Sequence, residues 1–181
     1  MTRERQIIVV CTGNICRSPL AEVLLARGLA DVDAAVAVTS AGTSPAVGLT
    51  PDRHLRRMAD DLGVDVSHHL PQPATMALLG RADLVLAATV AHVDEVLWRS
   101  PHTPTTTLLA AARRAELIGG NPVPFEQWVR RLTTSVDGSP VCTPPFDDIA
   151  DPYGGPRRAY RRMAHEVDDA VTRLVRHWCG R

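Results

Sequence analysis

Apolar and polar positions along the chain predict alternating strands and helices. The short apolar run Gln6-Ile7-Ile8-Val9-Val10 is β-branched and too brief for a helix, so it reads as a buried strand. From Leu20 to Ala30 the apolar residues recur at helical spacing. Ser18 then stands at the predicted N-cap, Pro19 at the first helical position, and Glu22 near the positive end of the helix dipole. Ala35–Thr39 reads as a second strand, Thr43–Thr50 as a loop, and Pro51–Leu62 as a helix closed by Gly63. A short helix over Ala74–Leu79, a third strand over Asp83–Ala87 and a helix over Val90–Arg99 follow. Thr105–Leu109 reads as a fourth strand. Pro156–Trp178 is the longest helical pattern, with Met163, Val167, Ala170, Val171, Leu174 and Trp178 on one face. Strands alternating with helices predict an α/β fold in which a parallel sheet is covered on both faces.

The connection between the first strand and the first helix carries the candidate chemistry. It runs Cys11-Thr12-Gly13-Asn14-Ile15-Cys16-Arg17-Ser18-Pro19. A tight loop that enters a helix N-terminus aims backbone N–H groups at one spot, a site for a tetrahedral anion. The loop has neither the Gly-Lys-Ser/Thr ending of a nucleotide-binding loop nor a GxGxxG fingerprint. It has instead a cysteine at its entrance and an arginine six positions later. A thiol beside a guanidinium and an anion-binding nest is expected to ionise readily, and the thiolate is the nucleophile. Arg17 can grip two phosphate oxygens in a bidentate fork. Gly13 suits a close backbone approach, the Asn14 amide can brace the loop, and the Ser18 hydroxyl can donate to the thiolate.

This segment resembles the phosphate-binding loop of the low-molecular-weight protein tyrosine phosphatase family, whose usual form V-C-x-G-N-I-C-R-S-P-x-A-E is matched through Glu22. The resemblance extends to Ser40-Ala41-Gly42-Thr43, to Val47-Gly48 with Pro51-Asp52, to Ser67-His68 and to Asp151-Pro152-Tyr153-Gly154. It implies one α/β domain over residues 1–181, three-layered, with a four-stranded parallel sheet of order 2-1-3-4. It also implies Cys11 as nucleophile, Arg17 as phosphate ligand and Asp151 as the acid that protonates the leaving oxygen. Phosphate or substrate would be held by Thr12, Gly13, Asn14, Ile15, Cys16, Ser18 and Tyr153. Asn14, Ser18, Ser40 and His68 would form the network bracing the loop, with His69 as the neighbour able to replace His68. No metal or cofactor is implied. Asp147 and Asp148 rival Asp151 by chemistry alone; only the Asp-Pro-Tyr match selects Asp151. Cys16 is read either as a redox partner of Cys11 or as a small packed residue, and Cys142 and Cys179 as incidental.

Departures from the family pattern bear on specificity. Ser44-Pro45-Ala46-Val47 carries no ring where phosphotyrosine-specific members have an aromatic wall, and Tyr153 is followed by Gly154 where a second ring is common. Residues 111–145 form an insert relative to the minimal pattern. Within it Pro124–Leu132 reads as an amphipathic helix with Phe125, Trp128, Val129 and Leu132 on one side. Trp128 or Phe146 is a candidate replacement for the missing wall. The alternatives are that these rings pack the insert onto the body, or that the insert docks a partner.

The function implied is hydrolysis of phosphotyrosine through a phosphocysteine intermediate. A protein-arginine phosphatase is the alternative, although Ile15 occupies the position where a threonine is usual in such enzymes. A thiol-dependent arsenate reductase needs further cysteines after the third strand, and Ala87-Ala88-Thr89-Val90-Ala91-His92 has none. A non-catalytic phosphate-binding module is expected to have lost Cys11, Arg17 or Asp151. Composition narrows the partners. The 20 Lys+Arg, all arginine, balance the 20 Asp+Glu, which points to neither nucleic acid nor an anionic membrane. The four scattered cysteines form no CxxC pair, no signal peptide or membrane span is read, and a reducing cytoplasm is expected. A phosphotyrosine protein, a cognate tyrosine kinase and a monomeric or weakly dimeric state complete the expectation.

Overall fold

The computed structural model describes residues 4–32, 34–118, 123–134 and 147–178. Four strands, β1 (Arg5–Cys11), β2 (Val36–Gly42), β3 (Leu84–Ala87) and β4 (Thr105–Thr107), form one parallel sheet of order β2-β1-β3-β4. The helices are α1 (Arg17–Ala30), α2 (Arg53–Asp61), α3 (Met76–Leu79), α4 (Val90–Arg99), α5 (Leu108–Ile118), α6 (Phe125–Thr133) and α7 (Arg157–Arg176).

The two-residue period of a strand divides the core. Ile7, Val9, Leu84 and Leu86 face one side, where they meet apolar residues of α1, α5, α6 and α7. Ile8, Val10 and Val85 face the other, against Leu79 and Val96 of α3 and α4. All four residues from Ile7 to Val10 are essentially inaccessible, as expected of a central parallel strand. The six residues expected on the inner face of the last helix, Met163 through Trp178, are all buried. The sheet order and three-layer arrangement that the resemblance implied are those observed.

Several elements differ from expectation, among them β2, which runs on to Gly42 past Thr39, and α5, where no helix is expected. The fourth strand ends at Thr107, not Leu109. Leu108, Ala111, Ala112 and Ala115 repeat at helical spacing, and the Thr107 hydroxyl accepts the Ala110 N–H at 3.1 Å, so α5 starts directly from the strand. The first helix begins at Arg17 behind Cys16, without a side-chain cap, which places Ser18 inside its first turn. Ser18 is therefore not the N-cap; its hydroxyl is engaged in the loop described below.

The amphipathic helix expected over Pro124–Leu132 is α6. Trp128 is buried, 4.6 Å edge-on from Trp178 between ring centroids, and Phe125 lies 5.4 Å from Trp178. These rings pack α6 onto the end of the α7 segment. Trp128 does not line the cleft, which corrects its candidacy as a wall. Phe146, Cys142 and Cys179 lie outside the described residues.

Candidate active site

β1 delivers Cys11 to the carboxyl edge of the sheet, where residues 12–16 curl before α1 begins. The segment after β2 holds this curl from outside: Thr43, Ser44 and Ala46 donate their N–H groups to the carbonyls of Cys11, Thr12 and Gly13 at 2.9–3.0 Å. In a trans peptide the N–H opposes the carbonyl, so the N–H groups of Thr12, Gly13 and Asn14 turn to the concave side. Asn14 makes the curl possible with a left-handed backbone (φ 51°), a conformation asparagine tolerates better than most residues.

The Asn14 side chain is satisfied on every side. Its Nδ2 donates to Ser18 Oγ at 2.9 Å and Ser40 Oγ at 2.8 Å, and its Oδ1 accepts the Gln72 N–H at 2.9 Å. Ser40 donates onward to Glu22 Oε2 at 2.5 Å. Ser18, already an acceptor, has its own proton free for Cys11 Sγ, 3.0 Å away. The network thus ends on the sulfur.

Arg17 is 5% exposed. Its Nη1 donates to the Ile149 carbonyl at 3.2 Å, and its Nη2 to Thr12 Oγ1 at 3.3 Å and Asp151 Oδ2 at 2.6 Å. Its Nε is buried without a protein partner, a donor that an oxyanion in the loop would satisfy. A cavity of about 170 Å³ is lined by Cys11, Thr12, Gly13, Ile15, Cys16, Arg17, Ala46, Asp151 and Tyr153.

The comparison with known proteins follows the same lines. The family model described as low molecular weight phosphotyrosine protein phosphatase matches residues 6–107. The chain belongs to that family. It is 29% identical over 171 residues to a protein-arginine-phosphatase of Geobacillus stearothermophilus, covering 94% of this chain and 93% of the relative. It is 39% identical over 97 residues to the probable low molecular weight protein-tyrosine-phosphatase EpsP of Ralstonia nicotianae, covering 54% of this chain and 64% of the relative. Among solved structures, the tyrosine phosphatase Wzb from Escherichia coli K30 in complex with sulphate superposes with a TM-score of 0.69 at 26% identity, covering 96% of this chain and 97% of that one.

Within this member of the family, most of the expected site residues converge. Cys11, Arg17 and Asp151 border one cavity, and Asn14, Ser18 and Ser40 share one network. The rival acids are engaged elsewhere: Asp147 pairs with Arg113 at 2.6 Å, and Asp148 accepts the Val90 N–H at 2.7 Å. His68 does not join the network. It is exposed, and its neighbour His69 instead approaches the loop, with Nε2 2.9 Å from the Asn14 carbonyl and Nδ1 3.7 Å from Glu22. The turn bonded from His69 N to Val66 O puts the second histidine inward. Glu22 sits in the network, not in the role of a dipole partner. Burial, reinforced by the charges of Asp52, Asp151 and Cys11, pushes the Cys16 thiol up to about 12, so it stays protonated beside Cys11.

Gln72 and His92 went unread in the sequence. Gln72 donates its backbone N–H to Asn14 and its side chain to the Ser40 carbonyl at 2.9 Å. His92 lies 2.8 Å from the Thr12 hydroxyl. Neither stands in a motif, and the only local sign at His92 is its place three residues after the helix cap Thr89.

Proposed function

We propose that this protein is a protein tyrosine phosphatase working through a phosphocysteine intermediate. The reading is carried by one observation: a cysteine sulfur, an arginine with an unpartnered buried Nε, and a carboxyl group border the same small cavity. In the reaction, the Cys11 thiolate attacks phosphorus in line and forms the S–P bond as the P–O bond to tyrosine breaks. Asp151 gives its proton to the departing tyrosine oxygen. The Asp151 carboxylate then takes a proton from water, whose oxygen attacks phosphorus. The S–P bond breaks, inorganic phosphate leaves, and the thiolate is restored. Arg17 and the loop N–H groups stabilise the charge on the equatorial oxygens throughout. Thr12, Gly13, Ile15 and Cys16 shape the cradle, and Tyr153, 58% exposed, supplies an aromatic side chain to the cavity wall that Ala46 also lines.

The substrate class is a phosphotyrosine protein, made by a tyrosine kinase, and the setting a reducing cytoplasm. No helix among the described residues is long and apolar enough to cross a membrane. Similarity over nearly the whole chain to a protein-arginine-phosphatase supports a second reading, dephosphorylation of phosphoarginine. The side chain of Ile15 at the cavity favours tyrosine, because it offers no hydrogen bond to a substrate guanidinium.

The test is phosphate release from phosphotyrosine and phosphoarginine peptides side by side, with Cys11→Ser as the blank. Turnover of phosphotyrosine that disappears in the variant is expected, and the phosphoenzyme should be trapped by rapid acid quench. Preference for phosphoarginine would replace the first reading by the second. Turnover that survives Cys11→Ser would overturn the thiolate mechanism.

A further inference from the structure

We propose that His92 is a positioning residue for Arg17, acting through the Thr12 hydroxyl. The inference rests on the reading of Arg17 as the phosphate-gripping residue. His92 lies in the first turn of α4 and is 5% exposed. Both its ring nitrogens meet hydroxyls: Nδ1 is 2.6 Å from Thr89 Oγ1, and Nε2 is 2.8 Å from Thr12 Oγ1. The same Thr12 oxygen accepts the 3.3 Å bond from Arg17 Nη2.

Proton arithmetic admits one order of this chain for each neutral tautomer of His92, and the order that keeps the Thr12 proton inside the chain is the one proposed. Arg17 only donates, so Thr12 accepts from it and has one proton to give. Given to His92 Nε2, that proton leaves the ring with its own at Nδ1, directed to Thr89. Every link then carries one proton, and the imidazole is neutral. Its surroundings favour that form: burial and the Arg17 charge outweigh Glu95, Asp148 and Asp151, and hold His92 down at about 4.

Thr12 is otherwise an exposed residue at the tip of the loop, free to turn about its side-chain bond. The ring of His92 fixes that rotation and keeps the threonine oxygen against Nη2. With the Ile149 carbonyl on Nη1, the guanidinium plane is set by two neutral acceptors, and Nε stays open. Among the described residues Asp151 is the one charged partner, and it is the partner an incoming oxyanion would displace. The Thr12–His92 support remains when it leaves. The corner that carries His92 also seats the acid loop, since Ala88 O accepts the Ile149 N–H at 2.8 Å and Val90 N–H reaches Asp148 at 2.7 Å. The β3–α4 corner therefore sets both Arg17 and the approach to Asp151.

The experiment is a double-mutant cycle on Thr12→Val and His92→Ala, with Thr12→Ser and His92→Gln as conservative variants. It reads kcat and KM on an aryl phosphate, the affinity for inorganic phosphate by calorimetric titration, and Tm. Each single substitution should lower kcat roughly ten- to a hundredfold and weaken phosphate binding. The double variant should be no worse than the poorer single one. Thr12→Ser should restore most of the loss, and imidazole ¹⁵N shifts of the wild type should show the Nδ1–H tautomer. Additive losses, or normal kcat and phosphate affinity with only a lower Tm in His92→Ala, would overturn the proposal. If His92→Ala does not fold, His92→Gln takes its place in the cycle and the same additivity decides. Phosphate titration needs no turnover, so a wild type that binds phosphate without hydrolysing phosphopeptides would count against the phosphatase reading alone.

Discussion

Arg17 Nη2 and Asp151 Oδ2 lie 2.6 Å apart, so the residue that would bind phosphate is paired, in the unliganded site, with the residue that would act as acid. Asp151 is half exposed on its side of the pair whereas Arg17 is buried. The carboxylate thus occupies the guanidinium edge that an oxyanion needs, and binding must exchange one for the other. Asp151→Asn should lower kcat by about 10²–10⁴-fold through loss of the proton donor. The same substitution should tighten inorganic phosphate binding, because the competing charge is gone. Weaker phosphate binding in this variant, measured by titration, would show that the pair does not compete with the ligand.

Gly42 is a second point of leverage. A Cβ there would stand 2.5 Å from the Thr12 carbonyl oxygen and 3.1 Å from the Asn14 nitrogen, both backbone atoms that cannot turn aside. Gly42→Ala should displace the loop and cost roughly 1–3 kcal/mol of stability. Its kcat/KM should fall well beyond what that loss explains at temperatures where the protein is folded. Wild-type kinetics would mean that the loop accommodates the methyl group.

The two adjacent histidines should separate cleanly. His69→Ala leaves the buried Asn14 carbonyl without its partner, a loss of about 1–3 kcal/mol, and should reduce kcat by loosening the left-handed turn. His68→Ala, at an exposed side chain, should change neither Tm nor kcat. Equal effects of the two would contradict the assignment of His69 to the network.

Trp128→Ala opens a cavity among Phe125, Trp178 and the core beneath them, and should cost about 3–5 kcal/mol. Below its lowered Tm, KM for aryl phosphates should equal that of the wild type. A raised KM would place the indole at the substrate after all.

His92 makes stability depend on acid. Its folded value, about 4, lies below the ordinary 6.5. Between these values the unfolded chain binds the extra proton, so its contribution is complete above about pH 6.5 and is lost as pH falls toward 4. A shift of that size corresponds to about 3 kcal/mol. Glu95, Asp148 and Asp151 act against it, Arg17 with it. Chemical denaturation from pH 7 to pH 4.5 should show a steeper loss for the wild type than for His92→Gln; parallel curves would assign the acid sensitivity to other groups.

Much of this protein was legible residue by residue. The buried run Ile7–Val10, the helical spacing of Leu20–Ala30 and the α4 boundaries Val90–Arg99 follow from apolar period and propensity within a dozen residues. Cys11 and Arg17 were readable as a pair because a single loop holds both, so their spacing along the chain already constrains their spacing in space. Asp151 was found only through its Asp-Pro-Tyr match, since three aspartates stand within five positions. Their separation into an Arg113 partner, a helix-end acceptor and a cavity wall is a matter of what the sheet edge presents to each.

The sequence by itself determined the order of strands and helices, α5 excepted, and the chemistry of the first loop, because those depend on neighbours along the chain. Tertiary structure alone decided that Ser18 serves the sulfur and not the helix cap, that His69 and not His68 meets Asn14, that Trp128 packs against Trp178, and that His92 reaches Thr12 from 80 residues away. Each is a choice between orientations of nearly equal local energy. The choice is made by which partner the parallel sheet and its crossovers bring within hydrogen-bond or van der Waals reach, a distance that no local preference encodes.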